Sequence, residues 1–242
     1  AMKKWVMGAI FLLLFYEVKG GDRYVWLDAP SSAFPYESWE TAATNIQDAI
    51  DAAAAGETVW VTNGTYILNQ PLFLGKAITL KSVNGRDVTS ITRDPALSIR
   101  LMVLSNANAV VEGFSFTNGL GRAPVQNMHS YGGALAIYGG TLRDSRIATN
   151  ICQGGNASEH SYHAYGGGIF MMTGRVENCE IIFNNARGSG GSSSAFGGGL
   201  YVITGEVENC VIVSNAAWAT GNGTGEGGGI QIMGRARLTN SR

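Results

Sequence analysis

The sequence predicts an all-β fold, a right-handed single-stranded parallel β-helix (a solenoid) closed at its N-terminal end by a short α-helix. Three observations predict it. A motif, apolar-x-(Asn/Asp/Gly)-x, recurs as Val111–Phe114, Leu142–Ser145, Val176–Cys179, Val207–Cys210 and Leu238–Ser241, with successive copies 31, 34, 31 and 31 residues apart. Glycine pairs stand ahead of the last four copies at Gly132-Gly133, Gly167-Gly168, Gly198-Gly199 and Gly228-Gly229, and an Asn stands behind at Asn118, Asn150, Asn184 and Asn215. Composition agrees: 34 Gly, 5 Pro and 14% charged residues suit short strands between tight turns. A unit of this length cannot bury an apolar face alone, so the units must stack.

Taken in order, residues 1–20 read as a secretory leader. Lys3 and Lys4 precede an apolar stretch, Trp5 to Tyr16, too short to span a bilayer, and Val18 and Gly20 suit cleavage after Gly20. Residues 21–57 are expected to form an N-terminal segment ending in a capping helix. Thr44 to Gln47 match a capping box, Ile46, Ala49, Ile50 and Ala53 have helical spacing, and Gly56 is a stop. Residues 58–242 are expected to form the coils, the first strand starting at Val59.

Val59–Gly64 and Leu80–Gly85 look like copies of Phe114–Gly119. Alternation then sends Val59/Val61, Leu80/Ser82, Phe114/Phe116, Ser145/Ile147, Cys179/Ile181 and Cys210/Ile212 inward, with Lys81, Ser115, Arg146 and Glu180 outward. Ser241-Arg242 falls where Ser145-Arg146 falls, so the coil stack is expected to be truncated and to continue past residue 242. Net charge is −1 without a basic run, which speaks against nucleic-acid binding. Three cysteines, an odd count, argue against a disulfide framework. Cys179 and Cys210 are expected as a reduced pair in the core.

From Asn45 to Asn215 the chain resembles secreted proteins of the pectin-lyase-like fold, through Asn45–Tyr66, Ile78–Gly85 and Val111–Gly119. The later coils are similar to the polymorphic outer-membrane protein repeat. Gly132-Gly133-Ala134-Leu135 matches its first signature, and Ile147-x-x-Asn150, Ile181-x-x-Asn184 and Ile212-x-x-Asn215 match its second with Ile for Phe. These motifs form coils and say little about activity. Polysaccharide lyases of this fold use Ca2+ held by stacked carboxylates with an Arg or Lys as base. The resemblance therefore implies a metal pair, Glu177 and Glu208, with Arg143 or Arg175 as base. A cross-rung charge ladder explains the same residues. No paired Asp motif of the polygalacturonase kind occurs.

The segments 119–131, 151–165, 185–196 and 216–226 read as long loops leaving one corner of the coil. They hold His129, His160 and His163 and the aromatics Tyr131, Tyr165, Phe196 and Trp218. Tyr131, Tyr165 and Phe196, each just before its glycines, are expected to stack as a carbohydrate-binding strip, with His163 near Glu159 and Trp218 contributing. The same ladder could serve only to pack loops on the coil. Three readings stay open: a monomeric surface scaffold that binds polysaccharide or a cell-surface glycan or mediates adhesion, a polysaccharide lyase or glycoside hydrolase, and an autotransporter-like passenger domain. All place the protein outside the cell or on its surface, with membrane attachment only through an anchor beyond residue 242.

Overall fold

A computed structural model describes residues 21–122, 129–154 and 162–242. Its body has three parallel sheets, and the chain visits them in turn. Sheet I has eight strands: Arg23–Val25, Thr58–Val61, Thr79–Ser82, Val110–Glu112, Thr141–Arg143, Arg175–Glu177, Gly205–Glu208 and Ala236–Thr239. Sheet II has six, from Gly64–Leu68 and Thr89–Arg93 through Ser115–Thr117, Arg146–Ala148 and Glu180–Ile182 to Val211–Val213. Sheet III has six, from Leu72–Leu74 and Met102–Leu104 through Leu135–Ile137, Ile169–Met171 and Leu200–Val202 to Ile230–Ile232. This is the predicted right-handed parallel β-helix.

Burial follows the alternation. Val59, Leu80, Val111, Leu142, Val176 and Val207 form one inward column on sheet I, each at most 1% exposed. Between sheets I and II the chain turns at a residue with positive φ: Gly113, then Asp144, Asn178, Asn209 and Asn240. Asn and Asp tolerate this left-handed conformation better than other side chains, which explains the third position of the motif. The residue after each corner points inward. Ser145 Oγ donates to Arg143 O at 2.8 Å, Ser241 Oγ to Thr239 O at 3.0 Å, and the thiols of Cys179 and Cys210 bond Glu177 O and Glu208 O at 3.2 Å each. All three cysteines are free and buried. Burial pushes Cys152 up to about 12, so it stays a neutral thiol.

One register expectation is corrected and one register offset, the Asn standing one residue later in the last three coils, is explained. Val59 pairs with Leu80 and Leu80 with Val111 on sheet I, whereas Phe116 lies on sheet II against Ile91 and Ile147. The likeness of Val59–Gly64 to Phe114–Gly119 therefore equates different corners of the coil. Second, Asn118 and the later asparagines have different roles. Asn118 shares its left-handed turn with Thr149, Phe183 and Ser214, while Asn150, Asn184 and Asn215 occupy the next position, opposite Gly119. There they build an internal amide ladder. Asn150 Oδ1 accepts from Gly119 N, Asn184 Oδ1 from Asn150 N and Asn215 Oδ1 from Asn184 N, at 2.7, 3.1 and 2.9 Å. Their Nδ2 atoms donate to Phe116 O, Ile147 O and Ile181 O. Ser115, expected outside, faces out but is covered to 8% exposure.

The cap also differs in detail. The strand Arg23–Val25 precedes the helix and starts sheet I, ahead of the predicted first strand. The helix spans Ile46–Ala52, and its N-cap is Asn45, whose side chain accepts from Asp48 N, one residue after the predicted Thr44. Ile46, Ala49 and Ile50 bury onto the first coil. Lys76 Nζ donates to the carbonyls of Ile50, Asp51 and Ala53, which the helix end would leave unpaired.

The described residues of the predicted loops contain strands. They form a fin of two thin parallel sheets. The chain leaves sheet II into the outer fin sheet, Leu120–Arg122, Ile151–Gln153, Asn185–Gly188 and Ala216–Ala219. It returns through the inner fin sheet, Ser130–Tyr131, Ala164–Tyr165, Ala195–Phe196 and Gly225–Glu226. Only small side chains separate the layers: Cys152, Ala164, Ala186, Ala195 and Ala217 form this second core. At its base a Cβ on Gly121 would lie 2.1 Å from Gly132 O, so glycine is required. Among the described residues no helix is long and apolar enough to cross a membrane. Residues 1–20, Glu159 and His160 lie outside the described residues.

The amide ladder predicts a specific weakness. Asn184→Ala orphans the buried Asn150 N, at a cost of about 1–3 kcal/mol, and removes the second of two bonds to Ile147 O. Thermal denaturation should show a melting temperature lowered by several degrees; an unchanged one contradicts the ladder.

Candidate functional site: the groove between fin and body

The inner fin sheet turns its aromatics toward the body. Tyr131 stacks on Tyr165 and Tyr165 on Phe196, both with centroids 5.3 Å apart and planes 11° and 16° from parallel. Sheet III supplies a second row beneath. Ala136, Phe170 and Tyr201 follow one another in register, facing outward between the inward Leu135/Ile137, Ile169/Met171 and Leu200/Val202 pairs. The rows mesh edge to face: Tyr131 meets Phe170, and Tyr165 meets Tyr201, each at 4.8 Å. Such pairs contribute about 0.5–1.5 kcal/mol each beyond their burial, so this layer holds the fin to the body.

The expected strip therefore exists, but its ring faces are spent on one another and on sheet III. What remains open is a groove beside it. Tyr131, Tyr165, Phe170 and Tyr201 line it on one side and below, and Tyr138, Met172 and Ile203 line the other side, around a volume of about 440 Å³. Tyr138 and Met172 are 38% and 44% exposed. Burial, with Tyr201 and Tyr131 nearby, pushes the Tyr165 phenol to about 12, and Tyr131 and Tyr201 are also raised. These hydroxyls stay protonated and offer hydrogen bonds to a ligand.

His163 joins this edge of the fin. Its ring stacks on His129 at 5.0 Å and meets Phe196 and Tyr165 edge-on. His129 Nδ1 accepts from His163 N at 2.9 Å, His163 Nδ1 accepts from Ser194 N at 2.8 Å, and Ser194 Oγ accepts from Thr224 N at 3.1 Å. Each rung thus ties the next through a side-chain acceptor. This fixes the His163 proton on Nε2, away from the backbone.

Glu177, Glu208, Arg143 and Arg175 lie elsewhere, on sheet I. The register column runs Lys81, Glu112, Arg143, Glu177, Glu208. Arg143 binds Glu112 at 2.6 Å, Lys81 binds Glu112 at 2.7 Å, and Arg175 lies 3.4 Å from Glu177 and 3.9 Å from Glu208, with Glu206 as a further partner. Burial alone would raise the Glu112 carboxyl, but hydrogen bonds from Lys81 and Arg143 hold it below its ordinary range. The arrangement is a cross-rung charge ladder that alternates from Lys81 to Glu177 and ends in two carboxylates. Both carboxylates of the expected metal pair face the Arg175 guanidinium. Among the described residues no cluster of three or more His, Cys, Asp or Glu side chains could hold a metal ion.

Trp218 is also apart from the aromatic strip. It sits on the far side of the fin, its ring under the Arg187 guanidinium at 5.5 Å. The sequence reading missed Tyr138, Phe170, Met172 and Tyr201. A signal existed: Phe170 and Tyr201 stand at the same place after their glycines, 31 residues apart, between two inward aliphatics.

No protein-family model matches this chain, and no curated protein does. Solved structures with a similar course are pectin methylesterases. PemA from Erwinia chrysanthemi is 15% identical with a TM-score of 0.48, over 81% of this chain and 56% of that one. The enzyme from Aspergillus niger is 15% identical with a TM-score of 0.46, over 91% and 76%. A pectin methylesterase in complex with a hexasaccharide is 16% identical with a TM-score of 0.44, over 78% and 66%. This chain thus spans just over half the length of the first.

The His163 bond has a pH consequence. Burial, then the neighbouring His129, lowers the His163 pKa below its ordinary 6.5. The unfolded chain therefore takes up the proton first, so this stabilisation is full above about pH 6.5 and is lost as pH falls through the lowered folded value. Melting temperature should fall on acidification, and His163→Asn, which keeps an acceptor but does not titrate, should flatten that slope. An equal slope in the variant contradicts the assignment.

Proposed function

We propose that this chain is a glycan-binding β-helix and that the groove between fin and body is its saccharide site. One observation carries the reading. The groove is lined by residues of three successive rungs, Tyr131/Tyr138, Phe170/Met172 and Tyr201/Ile203, so it extends along the helix axis. Such a shape suits a chain-like ligand better than a compact one. Its chemistry suits a sugar, whose C–H faces need apolar walls and whose hydroxyls need partners such as the phenols of Tyr131, Tyr165 and Tyr201. Binding would need no metal and no titrating group. The reading includes export of the protein, as expected from Lys3, Lys4 and the apolar stretch after them.

Affinity electrophoresis through gels containing neutral polysaccharides tests it. The protein should be retarded by at least one polymer, and Tyr138→Ala and Met172→Ala, which alter exposed walls, should weaken that retardation about tenfold. Absence of retardation on every polymer would sink the reading. Retardation that survives both substitutions would remove the groove as the site.

A further inference from the structure

We infer that the outer face of the fin is a second site, for a linear polyanionic glycan bearing carboxylates or sulfates. The inference deepens the glycan reading, on which its ligand class rests, but uses a separate surface. In the outer fin sheet, Arg122, Gln153, Arg187 and Trp218 follow one another in register. Their neighbours Gly121, Cys152, Ala186 and Ala217 face the fin interior, so these four side chains face outward. No acidic residue occurs in any of the four strands.

Among the described residues some cations are held by protein partners and some are not, Arg100, Arg235, Arg237 and Arg242 among the latter; the strip is set apart by its register and its lack of acidic residues. On the body, Lys81, Arg86, Arg143, Arg146 and Arg175 are all held by carboxylates. Arg93 and Lys76 are each held by three backbone carbonyls. Among the described residues Arg122 and Arg187 have neither kind of partner, and Arg187 Nε is buried without a hydrogen bond. The Trp218 ring, 43% exposed, lies against the Arg187 guanidinium and orients it. That contact leaves the charge in place, and a planar guanidinium so held binds a carboxylate or sulfate through paired N–H groups.

Register sets the spacing. Arg122 and Arg187 lie two rungs apart, about 10 Å, with the Gln153 amide between them and Trp218 one rung beyond. An extended chain with regularly placed anions, laid along the axis, would meet cation, amide, cation and indole in turn. A compact anion could use only one guanidinium.

The test is affinity electrophoresis of the protein in gels containing polygalacturonate, dextran sulfate or neutral dextran, with a single-stranded oligonucleotide as a competing polyanion. The expected result is retardation by polygalacturonate or dextran sulfate, the stronger of the two naming the anion. Arg122→Gln/Arg187→Gln should weaken it at least about tenfold, since charge-assisted bonds are removed. Arg187→Lys, which keeps charge but not the paired N–H geometry, should weaken it partly, and Tyr138→Ala should leave it intact. If the double variant does not fold, Arg122→Gln alone, at an exposed strand end, carries the comparison. Retardation by neither anionic polymer, retardation unaffected by the Arg variants, or equally strong capture of the oligonucleotide would each overturn the proposal. Loss of neutral-glycan binding in Tyr138→Ala bears only on the groove.

Discussion

Parallel, in-register pairing is the constraint on which the rest of this structure depends. It sets each residue about one rung, 4.7–4.9 Å, from its counterpart in the next coil. Neutral groups profit from meeting their own kind: Asn150, Asn184 and Asn215 exchange amide bonds, and Tyr131, Tyr165 and Phe196 stack. Charges do not, and on sheet I they alternate, with Glu112 between Lys81 and Arg143. Where two carboxylates do follow one another, at Glu177 and Glu208, Arg175 reaches both. The same rule makes the outer fin notable, since its guanidinium groups are separated by a neutral Gln and left unpaired.

Much of the fold was legible because corner chemistry is local. Left-handed turns restrict residue type, so Gly113, Asp144, Asn178, Asn209 and Asn240 mark their corner in the sequence, and alternation from that corner gives the inward columns. The early register was not legible, because Val-Thr-Asn-Gly and Phe-Thr-Asn-Gly serve at different corners, with positive φ at Gly64 in one and at Asn118 in the other. The fin was hidden for another reason. Its strands are two to four residues long and rich in Gly, Ala and Ser, with little strand propensity of their own. Rung-to-rung bonds and the fit of small side chains between its layers make them strands, and both are non-local.

The candidate site was half visible for a related reason. An outward aromatic on a strand reads as a surface residue, yet Phe170 and Tyr201 are 3% and 8% exposed because the fin covers them. Three layers result, with sheet III, the aromatic seam and the two fin sheets in succession. The seam does the work of a second core, and the open space at its margin is the groove. Trp218, grouped with the aromatics by sequence, belongs to the opposite surface and owes its position to Arg187.

The central claim is that this seam, and not the strand pairing alone, attaches the fin to the body and shapes the groove. Native-state amide hydrogen exchange on Phe170→Ala tests it most directly. The account predicts faster exchange across both fin sheets, with sheets I and II as protected as before, because Phe170 touches Tyr131 and Tyr138 but no core residue of those sheets is altered. Fin amides that keep their protection, or protection lost evenly through the whole solenoid, would contradict it.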